Sequence, residues 1–105
     1  MRPVSSSPAG GPSAVTAAEV ERVARRWEQL PLDRALGAYP RVRALVQELA
    51  DETADAVEQT PEPVPDLGPA VVMDQLRVMV FDAQQAGLPA DDLAARVTRL
   101  RRSLP

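Results

Sequence analysis

The chain has no cysteine, no histidine, no lysine, no isoleucine and no asparagine, and aromatic residues make up 3% of it. Without cysteine there is no disulfide and no thiolate nucleophile. Without histidine the commonest metal ligand and the usual general base are missing. Without lysine there is no Schiff-base chemistry. Ser-His-Asp and Cys-His arrangements and thiolate- or imidazole-bound zinc are thereby excluded. The only adjacent glycines are Gly10 and Gly11. No G-x-x-x-x-G-K-[ST] phosphate loop occurs. The expectation is a chain that is not an enzyme, with no catalytic residue, no cofactor and no metal.

Alanine, arginine, proline and valine are abundant where lysine, isoleucine and asparagine are absent. That balance matches GC-rich coding, so an all-arginine basic set says little about forked hydrogen bonding. No stretch approaches the roughly 20 apolar residues that span a bilayer. Met1 to Val15 contains one arginine and no apolar run, so it does not read as a signal peptide. The cytoplasm is the expected location, with no membrane contact. The formal charge of −3 gives no default reason to expect nucleic acid as a partner.

What is present is helical periodicity cut by prolines. The 105 residues fit one domain. Residues 1–15 are rich in Pro, Ser and Gly and are expected to form a disordered tail, ahead of a single helical domain at 16–105. Thr16-Ala17-Ala18-Glu19 matches a capping box, which would start a first helix at 16–30. Val20, Val23, Ala24, Trp27 and Leu30 form its apolar stripe, which places the sole tryptophan in the core. Pro31, Gly37 and Pro40 suggest a connection over 31–40, with a second helix at about 40–58 carrying Val42, Leu45, Val46 and Leu49.

Alternating prolines at 61, 63 and 65 predict an extended linker over 59–68. A third helix follows at about 69–86, closed by a left-handed Gly87, and a fourth at 89–103. On this reading every proline lies outside a helix interior. The fold class is all-α, a small up-and-down four-helix bundle. Short links favour strictly alternating directions, and the Pro-rich link could instead carry a longer crossover. Trp27, Leu45, Leu49, Leu76, Met79, Val97 and Leu100 are expected to share one core.

Three features bear on function. Helix three is apolar nearly all round, which usually marks a central, buried element. Val71, Val78 and Phe81 lie off its main apolar face and are candidate partner-binding residues. A non-catalytic helical protein-interaction module, docking or self-associating through a helix face, is the leading reading, with a protein partner or homo-oligomer.

The run from Glu48 to Asp66 holds seven acids and no base, and could pair with the C-terminal arginines or bind something else. Glu48, Asp51, Glu52 and Asp55 could share a face at one-turn spacing, as a carboxylate/Mg-dependent nucleotide hydrolase would need. No second acidic pair completes that set. The turn Ala83 to Leu88, followed by Leu93, loosely matches a helix-turn-helix, so a nucleic-acid-binding regulator using the Arg-rich last helix is another alternative. Arg96 stands where that motif needs an apolar residue.

Overall fold

In the computed structural model, residues 12–105 are described. Four helices follow one another: α1 (Pro12–Gln29), α2 (Leu32–Ala56), α3 (Val72–Gln85) and α4 (Ala90–Ser103). They form an up-and-down bundle without strands among the described residues. α1 packs mainly on α4, and α2 on α3. The expectation of a disordered tail falls largely on residues 1–11, which lie outside the described residues.

Helix directions follow from the hydrogen bonds. Thr16 at the start of α1 donates to the carbonyl of Ala90 at 3.1 Å. Arg26 near its end donates to the carbonyl of Pro105. α1 and α4 therefore run the same way. Trp27 Nε1 donates to the carbonyl of Pro69 at 3.0 Å, just before α3, while Glu21 meets Arg77 further along it. α3 thus runs against α1. Arg41 reaches the carbonyl of Ser103 and Glu52 reaches Arg96, so α2 runs against α4. The order is up, down, down, up and not strictly alternating, because the Pro-rich link is the longer crossover and returns the chain to the start of α2.

That crossover is held by α2. Its prolines cannot form a backbone ladder, so side chains satisfy its polar groups. Arg43 donates to the carbonyls of Val64 and Pro65, each at 3.1 Å. Gln47 donates to the carbonyl of Glu62 at 3.0 Å and accepts from Val64 N at 2.8 Å. Tyr39 donates to Asp66 and accepts from Gly68 N at 3.0 Å.

Two helix starts differ from the sequence reading. α1 begins at Pro12, a residue suited to a first helical position. Thr16 and Glu19 are then interior, buried residues that face α4 and do not form a capping box. α2 begins at Leu32 and runs through Pro40. The buried positions Ala35, Ala38, Val42, Leu45, Val46 and Leu49 keep one helical phase across the proline. Pro40 is exposed, and the carbonyl of Leu36, one turn earlier, loses its amide partner on the solvent side. Burial of this continuous stripe outweighs the ~3 kcal/mol that an interior proline costs locally.

The core contains all of the expected residues, with Met79 packed against its edge. Leu49, Leu76 and Leu93 are fully buried. Each such side chain contributes ~1.5–3 kcal/mol relative to exposure. Gly87 has φ +93°, and Leu88 N bonds back to the carbonyl of Ala83 at 3.0 Å, which closes α3 as the glycine suggested.

Candidate interaction surface

Helix three is not covered on all sides. Its buried side is Val72, Met73, Leu76, Val80 and Ala83. Val78 is 53% exposed and Phe81 is 60% exposed. They lie three residues apart, so they are neighbours on one outer face. Val71 does not join them. It sits half-buried at the N-terminal cap of α3, where its amide bonds to the carbonyl of Gly68 at 3.2 Å.

Shallow grooves flank the exposed pair. Phe81 borders a groove of about 240 Å³ between α1 and α3, with Ala17, Val20, Glu21, Arg77 and Gln84. Val78 borders another, of about 330 Å³, with Val64, Pro65, Leu67 and Met79. Leu67 is itself exposed, so the crossover extends the apolar surface beyond α3. Helical spacing could not point to this, because Leu67 belongs to no helical pattern.

One ion-pair set borders the face. Arg77 holds Glu21 through two bonds of 2.9 and 3.1 Å and Asp74 at 2.9 Å. The hydrogen bond from Arg77 and its charge hold the Glu21 carboxyl below its ordinary pKa. These exposed pairs are worth ~0–1 kcal/mol each. Their surroundings make the apolar pair an island with a charged rim.

Of the acidic run, Glu48 and Glu52 pair with the arginine cluster of α4, through Arg96 and not through its last turn. Because α2 and α4 are antiparallel, Glu52 meets Arg96, two turns into α4, at 2.6 and 2.7 Å. Glu48 lies 3.9 Å from the same guanidinium and Asp92 lies 2.9 Å from it. Glu52 first, then Asp92, raises the Arg96 pKa. Of the last arginines, Arg101 pairs with the buried Glu19 at 3.4 Å. Arg99 and Arg102 are exposed and make no ion pair among the described residues.

Among the described residues, no three Asp or Glu side chains converge as a metal site would require. Asp51 is engaged by Gln47 at 2.8 Å. The turn between α3 and α4 does not pack as a helix-turn-helix either, since α4 lies on α1 and barely touches α3. Among the described residues, no helix is long and apolar enough to cross a membrane. The chain matches no family model, no curated protein and no solved structure.

Proposed function

We propose that this chain is a non-catalytic helical protein-interaction module that docks or self-associates through the outer face of α3. The observation that carries the reading is the exposure of Val78 and Phe81 on adjacent positions of one face, with Leu67 of the crossover alongside. Large apolar side chains clustered on a surface and rimmed by charge favour protein contact over solvent. Val71 is left out of the docking residues on the ground of its half-buried position.

The test is Phe81→Asp, with Val78→Asp as a second variant. Neither residue belongs to the buried core, so both variants retain a cooperative thermal transition. Size-exclusion chromatography with light scattering then reads the mass. Loss of a wild-type oligomer, or of a defined partner's binding, supports the reading. A folded variant with unchanged mass and unchanged partners removes it.

A further inference from the structure

The fold sorts charge along its length. Residues 22–43 and 99–105 contain nine arginines against Glu28 and Asp33. Residues 44–62 and 82–92 contain nine acids and no arginine. The up-down-down-up order brings the first pair of segments to one end, where Arg26 and Arg41 touch the last residues of α4. It brings the second pair toward the other end, where the end of α2 borders Met79 and Asp82 of α3.

α2 spans about 37 Å at the usual helical rise. The Debye length at physiological ionic strength is ~8 Å. The two ends are therefore electrically independent, and the overall charge of −3 describes neither.

Neither end is fully neutralised by its own chain, although Arg96 takes up Glu48, Glu52 and Asp92. Arg34, Arg99 and Arg102 are exposed and have no ion pair among the described residues, and Asp55 and Glu58 are likewise exposed and unpaired. Each end also carries apolar surface. Leu32 and Leu36 are exposed beside Arg34. At the acidic end, exposed Val57 borders a groove of about 230 Å³ with Ala50, Ala54 and Met79, rimmed by Glu62 and Asp82. The Oγ1 of Thr53 in that groove has no hydrogen-bond partner.

We infer that the chain also associates head to tail, the arginine end of one copy seating on the acidic groove of the next. The occupant is a second copy because the two ends are opposite in sign, each keeps unpaired charges, and each has exposed apolar side chains beside them. Nucleic acid fits less well. No aromatic ring is exposed at the arginine end to stack on a base, since Trp27 is buried and Tyr39 is half-buried and bound to Asp66. Exposed leucines there suit a protein surface. The contact is heterologous, so it propagates unless the rotation closes a ring.

Sedimentation of the full chain at 20 and 500 mM NaCl, over a range of concentrations, reads the association. The expected result is a mass that climbs with concentration at low salt and returns to 11.3 kDa at high salt. Arg34→Glu with Arg102→Glu, and separately Asp55→Arg with Glu58→Arg, each give a monomer at both salts. Mixed in equal amounts, the two variants recover a salt-sensitive complex, because the two intact ends are complementary and the two reversed ends are complementary as well. Arg34→Gln with Arg102→Gln serves if the reversal disturbs folding, and shows at least a tenfold weaker association.

A wild type that stays at 11.3 kDa in low salt overturns the inference. So does an oligomer indifferent to salt and to these substitutions, which would instead belong to the apolar face of α3. A monomer that binds a random-sequence duplex with a steep salt dependence assigns the arginine end to nucleic acid and overturns it too.

Discussion

A carboxylate only 5% exposed between two helices needs partners, and Glu19 has three. Thr98 Oγ1 donates to it at 2.6 Å, Arg101 stands at 3.4 Å, and Arg22 reaches it from its own helix. The Thr98 bond is the largest cause that holds its pKa below the ordinary glutamate value, with the two arginines adding to it against burial. A depressed carboxylate stabilises the fold above its unfolded pKa, and that contribution is lost as pH falls through the folded value. Wild type should therefore exceed Glu19→Gln in urea unfolding at pH 7, and the gap should close below about pH 4. Thr98→Val should cost about 1.5–3 kcal/mol at pH 7, the range for a hydrogen bond to a charged group. Leu76 is fully buried, so Leu76→Ala should cost about 2–5 kcal/mol, and Leu76→Asp should abolish the cooperative thermal transition. Leu76 was legible as core from its spacing alone. Glu19 was not, because a glutamate three residues after a threonine also spells a helix start.

Whole elements carry strain at two identifiable places. α2 ends with Gln59 N bonded to the carbonyl of Ala54 at 2.8 Å, a closure that puts Glu58 at φ +59°. A residue with a Cβ pays roughly 1–2 kcal/mol there. Glu58→Gly should raise the unfolding midpoint, while Gly87→Ala, at φ +93°, should lower it. Pro40→Ala restores a donor to the carbonyl of Leu36 at an exposed position. It should stabilise by up to about 3 kcal/mol, with helicity by circular dichroism unchanged or higher. If Pro40→Ala destabilises, the helix does not continue through residue 40. Proline and glycine rules read this stretch as a connection because they weigh local cost alone. The stripe from Ala35 to Leu49 is what overrules them, and its phase is visible only once the residues before the proline are counted with those after it.

At the scale of the molecule, helix number and helix faces were legible, but helix direction was not. Direction depends on a crossover whose course is set by Tyr39, Arg43 and Gln47, three polar side chains spaced four apart on one face of α2, whose partners lie in a segment with no helical pattern of its own. The acidic and arginine runs were plain in the sequence, yet their neighbours follow from direction, so Glu52 meets Arg96 instead of the last turn of α4. Composition has a further result at this scale. No side chain whose ordinary pKa lies between about 5 and 8 is present in the chain. Denaturant midpoints should be flat from about pH 6 to 8, with the first loss on the acid side as Glu19, Glu21 and Glu52 protonate.

The pairing of α1 with α4 joins the first of these four helices to the fourth. During synthesis α2, the crossover and α3 can settle together as soon as they leave the ribosome, since their contacts are near in sequence. α1 emerges before any of them and must wait, its valine and tryptophan stripe unsheltered, until α4 is released. Ribosome-stalled chains cut after residue 88 and extended by an unstructured tail long enough to fill the exit tunnel should thus hold a protected centre and a protease-sensitive α1, a window in which a chaperone would find its binding site.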